Sequence, residues 1–86
     1  SLPFNMNIYF VVKNQQPEGT HDVHTFECSC LPTGDHRIFL GAFTTCQEAI
    51  VEARQYFRKV NGCFFCAVEC YSFEHTTLTK KGVLNF

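Results

Sequence analysis

Two cysteines separated by two residues, Cys63 and Cys66, form the pair in this sequence best suited to chemistry. Both thiols of such a pair can converge on one metal ion from a single turn, and Gly62 directly precedes the pair. A second pair, His24 and Cys28, is separated by three residues. Zinc in structural sites takes four nitrogen or sulfur ligands in a tetrahedron. The sequence therefore predicts a closed zinc site formed by His24, Cys28, Cys63 and Cys66.

Neighbouring residues offer substitutes for two of these ligands. Cys30 can replace Cys28, since only one residue separates the two cysteines. His21 can replace His24, which we prefer because of its spacing from the first cysteine. The choice within each of these two pairs stays open at the level of sequence.

The other cysteines have different predicted roles. Cys46 lies on the apolar side of a predicted helix, and we expect it to pack in the core. Cys70 follows Cys66 by four residues and is a candidate substitute ligand or disulfide partner. The cysteines can also be reduced core residues, or disulfide partners if the protein is exported, and six cysteines allow fifteen complete pairings. Glu27, Glu69 and Asp22 are candidates to orient a ligating imidazole, whereas His36 and His75 are predicted to be solvated.

Three segments of the sequence predict the strands that position these ligands. Residues 7–13 are β-branched and aromatic, as a buried strand should be. Residues 21–28 and 37–41 are two further strands, and residues 31–35 between them form a predicted turn. We therefore expect the second and third strands to pair as a hairpin.

One helix is predicted from Thr45 to about Lys59. Thr45 and Glu48 fit the capping-box pattern at its start. Its apolar residues recur at helical spacing and form one stripe: Cys46, Ala49, Ile50, Ala53, Phe57 and Val60. Asn61 and Gly62 are predicted to end the helix in a left-handed turn. The helix would then lie between the two ligand pairs and bring them together.

These elements predict an α+β fold in which a small antiparallel sheet of about three strands packs on one main helix, stabilised by zinc. The length of 86 residues predicts a single domain over residues 1–86. Met6 is a candidate natural start, so we expect residues 1–5 to be vector-derived or disordered. We expect residues 72–86 to form a C-terminal tail or an edge strand.

Composition limits the classes of function. The apolar fraction of 45% is that of a globular protein. The net charge is −1 and the basic residues are scattered, which disfavours non-specific nucleic-acid binding. The sequence contains no apolar run of 18 residues, so we expect no membrane span. We expect a cytoplasmic protein, or an exported one if a signal peptide has been removed.

The order of motifs resembles the metal-binding domain of the Ada DNA-repair family. The resemblance covers about half of the chain and lies in His24-x3-Cys28, Phe39-Leu40-Gly41-Ala42-Phe43, Thr45-Cys46-Gln47-Glu48-Ala49 and Gly62-Cys63-x2-Cys66. In that family four cysteines hold zinc, and one of them takes a methyl group from a DNA phosphotriester. The resemblance implies the zinc scaffold, but His24 at the first ligand position cannot act as a methyl-accepting thiolate. The same pattern is similar to small uncharacterised bacterial proteins.

The sequence favours a non-catalytic zinc-binding module that recognises a protein or a nucleic acid. A closed four-ligand site leaves no position for a substrate, and the sequence contains no phosphate-binding glycine loop or serine elbow. One alternative is a thiol redox protein that uses Cys63 and Cys66. Such pairs are usually at a helix N-terminus, whereas this pair follows a predicted C-terminus. The other alternative is an exported binding domain stabilised by disulfides.

Overall fold

The fold is α+β, as the sequence predicts. A computed structural model describes residues 5–72 of the chain and shows one α-helix with a four-stranded mixed sheet. The residues 73–86 that contain most of the predicted tail or edge strand, and His75, lie outside the described part. The elements are β1 (Asn7–Val12), β2 (His21–Thr25), β3 (Arg37–Phe43), α1 (Cys46–Ala53) and β4 (Val60–Gly62), with 3₁₀ turns at Gly34–His36 and Val68–Cys70.

The strand order across the sheet is β3-β1-β2-β4. β1 pairs with both β2 and β3 in antiparallel fashion. The predicted hairpin between β2 and β3 is therefore wrong, because β1 lies between them. The most apolar strand occupies an inner position, where both of its edges are hydrogen-bonded. β4 extends the predicted three-stranded antiparallel sheet by pairing parallel to β2.

The two faces of the sheet differ in what covers them. Val11 of β1 pairs with Val23 of β2, both are fully buried, and both belong to the core cluster that includes α1 residues Ala49 and Ala53. Phe10, the neighbour of Val11, pairs with His24 on β2 and with Phe39 on β3. Because side chains alternate along a strand, these three residues lie on the face opposite the helix.

The helix starts as predicted but is shorter than predicted. Its buried residues are Cys46, Ala49, Ile50 and Ala53, which confirms the first half of the apolar stripe. The chain leaves the helix at Ala53 instead of Lys59. Phe57 then stacks on the ring of His21, with ring centroids 3.6 Å apart, and Val60 is buried in β4. These two contacts with β2 replace the helical packing that the spacing suggested.

The predicted left-handed stop at Asn61 and Gly62 is also wrong, because both residues lie in β4. The Asn61 side chain pairs with the backbone of Ser72: its Oδ1 accepts from the Ser72 N–H at 2.9 Å and its Nδ2 donates to the Ser72 carbonyl at 3.2 Å. Glycine is needed at 62 for space. An added Cβ would lie 2.6 Å from Cys70 Cβ and 2.7 Å from the Ala67 carbonyl oxygen.

A disulfide joins Cys46, the first residue of α1, to Cys70 in the turn Val68–Cys70. Cys46 is buried, as predicted for a core residue, and Cys70 is a disulfide partner, one of its two predicted roles. The bond fixes the segment after β4 against the start of the helix.

No helix within residues 5–72 is long and apolar enough to cross a membrane.

The capping box predicts a measurable loss of stability on substitution. The Thr45 hydroxyl accepts from the Glu48 N–H at 3.3 Å, and Glu48 Oε1 accepts from the N–H groups of Thr44 and Thr45. We expect Thr45→Ala to lower the free energy of unfolding by about 1 kcal/mol, measured by urea denaturation, because one helix N–H loses its partner. Thr45→Ser keeps the oxygen and is the matched control. Equal stability of the alanine and serine variants would contradict the role of the cap.

The same contacts make the cap depend on pH. The hydrogen bond from the Thr44 hydroxyl, followed by those from the Thr45 and Thr44 N–H groups, holds the pKa of Glu48 below its usual value. A depressed pKa means that the carboxylate stabilises the fold above its unfolded pKa. This stabilisation is lost as the pH falls through the folded pKa of Glu48.

Candidate metal centre

Four side chains that the sequence proposes as ligands come together in the fold: His24, Cys28, Cys63 and Cys66. Their ligand atoms all lie within 4.8 Å of one another, so the cluster can hold a metal ion. His24 and Cys63 are buried, whereas Cys28 and Cys66 are half-buried. Within residues 5–72, no other group of three or more His, Cys, Asp or Glu side chains brings its ligand atoms this close together.

Parallel pairing of β4 with β2 brings the two halves of the cluster together. Val23 pairs with Gly62 in the register of these strands. The next residues along the chain are His24 and Cys63, so both ligands enter the site from adjacent strand ends. The Cys63 N–H donates to the Val23 carbonyl at 3.0 Å, which continues the pairing up to the ligand itself. The position of Cys63 thus depends on a strand of only three residues.

Tight turns supply the other two ligands. After β2, the Cys28 N–H donates to the Thr25 carbonyl at 3.1 Å, which turns the chain so that Cys28 Sγ lies 3.8 Å from Cys63 Sγ. After β4, the Ala67 N–H donates to the Cys63 carbonyl at 2.9 Å, which closes a turn around Cys66. Cys66 Sγ lies 3.9 Å from Nδ1 of His24. Each turn therefore directs its second cysteine back toward the site.

Each of the three sulfur atoms accepts a backbone N–H. Cys28 Sγ accepts from Cys30 at 3.4 Å and Cys63 Sγ accepts from Phe65 at 3.3 Å, so both turns use the N–H two residues after the cysteine. Cys66 Sγ accepts from Thr25 at 3.2 Å. Hydrogen bonds donated to sulfur favour the thiolate, which is the form that binds metals.

Burial tunes the protonation of the ligands. It lowers the pKa of His24, which keeps the imidazole neutral and able to bind a metal. Burial raises the pKa of Cys66 to about 12, so a metal must displace the proton of this thiol. Burial also acts to raise the pKa of Cys28. The hydrogen bond from the Cys30 backbone and contacts with the other thiols outweigh it, and the net pKa is lowered.

The two substitute ligands nearest in sequence lie outside the cluster. His21 is buried, its ring stacks on Phe57, and its Nδ1 lies 2.9 Å from the carbonyl oxygen of Val12. Cys30 is exposed and is not one of the four clustered ligands, although its N–H donates to Cys28 Sγ. Cys70 is held in the disulfide. The geometry therefore places His24 and Cys28, the preferred members of their pairs, at the site.

Sequence reasoning missed the backbone donors and proposed acidic partners that do not take part. Among residues 5–72, no hydrogen bond joins His24 to Asp22, Glu27 or Glu69. Instead the N–H groups of Thr25 and Phe65 support the sulfur atoms. Phe65 could have been identified as a donor from the sequence, because it follows Cys63 by two residues. No local pattern identifies Thr25, whose partner is 41 residues away.

Comparison of the chain with protein-family models, with curated proteins and with solved structures finds no match.

Proposed function

We propose that this chain is a small, non-catalytic zinc-binding module that recognises a protein or nucleic-acid partner. The observation that supports the proposal is the convergence of His24, Cys28, Cys63 and Cys66 within 4.8 Å. Three sulfur atoms and one imidazole are a ligand set typical of structural zinc. They also fill a tetrahedron and leave no open position for water or substrate.

The distances within the cluster fit zinc. A tetrahedron with zinc–sulfur bonds of about 2.3 Å has sulfur–sulfur edges of about 3.8 Å. Cys28 Sγ and Cys63 Sγ are 3.8 Å apart. The mixed sulfur–nitrogen edge of such a tetrahedron is about 3.5 Å, and Cys66 Sγ lies 3.9 Å from Nδ1 of His24. These two distances are therefore within a few tenths of an ångström of the edges of a zinc tetrahedron, and all the donor atoms lie within 4.8 Å of one another.

The metal would reinforce the connection between two parts of the chain that a short parallel strand pairing already joins. His24 and Cys28 belong to β2 and the turn after it, whereas Cys63 and Cys66 follow β4. β4 has only three residues, so strand pairing alone fixes this edge of the sheet weakly. A structural zinc ion contributes folding free energy directly. We infer that the metal holds the β2–β4 edge in place.

An exposed group of rings on the helix-free face of the sheet is the proposed recognition surface. We call Phe10, Phe26 and Phe39 the aromatic face. Phe26 and Phe39 are 55% and 59% exposed, and their ring centroids lie 6.1 and 5.7 Å from that of Phe10. The Arg37 guanidinium lies 4.4 Å above the Phe10 ring. Aromatic residues and arginine are enriched where proteins bind one another.

Charge favours a protein partner over non-specific nucleic acid. The chain has a net charge of −1, and Arg37 is the cation that contacts the rings of Phe10 and Phe26. Affinity for a nucleic-acid backbone depends on several phosphate contacts made by lysine and arginine. A protein surface with apolar groups and one carboxylate to pair with Arg37 needs no such set of cations.

Elemental analysis and a thiol count test the proposal together. Protein purified without reductant, which leaves the Cys46–Cys70 disulfide intact, should contain one zinc per chain. Denaturation with chelator and without reductant should release four free thiols, because Cys46 and Cys70 form the disulfide and the other four cysteines are free. Six free thiols together with one zinc per chain would support the zinc module but contradict the disulfide between Cys46 and Cys70. No zinc, with thiols lost in pairs, would contradict the proposal.

The disulfide supports one alternative function, an exported binding domain stabilised by disulfides. Disulfides persist in oxidising compartments and are rare in the cytosol, where we otherwise place the protein. The outcome without zinc described above would favour this alternative. A thiol redox function receives less support, because burial raises the pKa of Cys66 and redox-active thiols have lowered values.

A further inference from the structure

Cys30 is a thiol beside the metal centre that has no role in the site described so far. It is exposed, and its N–H donates to the ligand sulfur of Cys28. The Cys30 side chain interacts with the thiols of both Cys28 and Cys63, so it lies near two of the proposed ligands. Within residues 5–72, Cys30 is the cysteine that belongs neither to the cluster nor to the disulfide.

A solvent-open depression of about 300 Å³ lies next to Cys30. His24 and Cys30 both line it, together with Val12, Asn14, Gln16, Pro32 and His36. His24 is 4% exposed, and this depression is a place where a buried proposed ligand lines an opening to solvent. A small thiol, or a cysteine on another protein, can approach the site here with Cys30 at the entrance.

We propose that Cys30 is an exchange ligand, through which zinc passes between this site and a thiol-bearing donor or acceptor. The inference depends on the proposed zinc site and adds a chemical class of partner to it. Zinc has no geometric preference from its d electrons and accepts an extra ligand transiently, so thiolates replace one another readily. An exposed thiol beside two ligand sulfurs is placed to begin such a replacement.

The exchange requires no change of oxidation state. Cys30 gives its proton to water and forms a sulfur–zinc bond. The bond from zinc to Cys28 then breaks, and the Cys28 sulfur takes up a proton. Cys28 is the ligand to be released, because it is half-buried and contacts Cys30, whereas Cys63 is buried. A thiolate of the acceptor next displaces Cys30, and zinc remains divalent throughout.

Zinc transfer from the loaded protein tests the role of Cys30. A chromogenic zinc chelator serves as the acceptor, with glutathione as the entering thiol, and absorbance gives the transfer rate. Cys30→Ser should keep one zinc per chain and the wild-type equilibrium affinity, because the four ligands remain. Its transfer rate should fall about tenfold, equivalent to about 1.4 kcal/mol of barrier. Ser29→Ala, at the exposed neighbouring position, is the matched control and should transfer zinc at the wild-type rate.

The outcomes separate this inference from the zinc proposal. An unchanged transfer rate for Cys30→Ser, with zinc still bound, would overturn the inference and leave the zinc module intact. Loss of zinc from Cys30→Ser to the extent seen with Cys28→Ser would also overturn it, because Cys30 would then be a resident ligand. If elemental analysis finds no zinc in the wild-type protein, both the zinc site and the exchange role of Cys30 are wrong.

Discussion

Replacing Cys66 by serine should remove zinc and unfold the domain. Cys66 Sγ is a proposed ligand and also accepts the Thr25 N–H, which ties the turn after β4 to the end of β2. Structural zinc sites supply about 10–16 kcal/mol in small peptides, whereas whole domains are stable by about 5–15 kcal/mol. Loss of the site is therefore comparable to the total stability, and we expect the largest effect of any single substitution here.

Elemental analysis and thermal melting followed by circular dichroism measure this effect. Cys66→Ser should hold no stoichiometric zinc and lack a cooperative melt, and chelator should produce the same state in the wild-type protein. His36→Ala is the matched control, because His36 is exposed and lies outside the cluster. This variant should bind one zinc per chain and show a cooperative melt at the wild-type temperature. A chelator-treated wild-type protein that melts at an unchanged temperature would show that zinc does not stabilise the fold.

Removing the disulfide should cost about 3.5 kcal/mol in the free energy of unfolding. Cys46 and Cys70 are separated by 24 residues, and closing a loop of that length lowers the entropy of the unfolded chain by about this amount. The bond also holds the turn Val68–Cys70 against the start of α1. The double variant Cys46→Ala with Cys70→Ala should therefore be markedly less stable than the wild type while retaining one zinc.

Urea unfolding of the zinc-loaded proteins compares the stability of the double variant with that of the wild type. The double variant avoids added reductant, because dithiols compete for zinc. Cys30→Ala removes one exposed thiol that is not in the disulfide and is the control, with stability expected near that of the wild type. Equal unfolding midpoints for wild type and double variant would mean that the bond contributes nothing to stability. Loss of zinc from the double variant would mean that the disulfide positions the ligands.

The sequence by itself determined the features that depend on neighbours along the chain. β1 is read from its β-branched and aromatic residues, and the start of α1 is read from Thr45 and Glu48 three residues later. The short spacing of Cys63 and Cys66 likewise identifies a pair able to converge, because tight turns are local structures. These features need no knowledge of what packs against them, so propensity and spacing are sufficient.

Only the tertiary structure decided the features that depend on distant partners. Spacing alone left His21 and His24 as alternatives, and packing separates them, since His21 stacks on Phe57 while His24 faces the sulfur of Cys66. The early end of α1 and the existence of β4 have the same cause. Val60 continues the helical pattern in the sequence, but in the structure it pairs with His21 of β2, about 40 residues away along the chain. A strand of three residues is too short to be predicted from its sequence pattern, yet its parallel pairing with β2 places Cys63 next to His24.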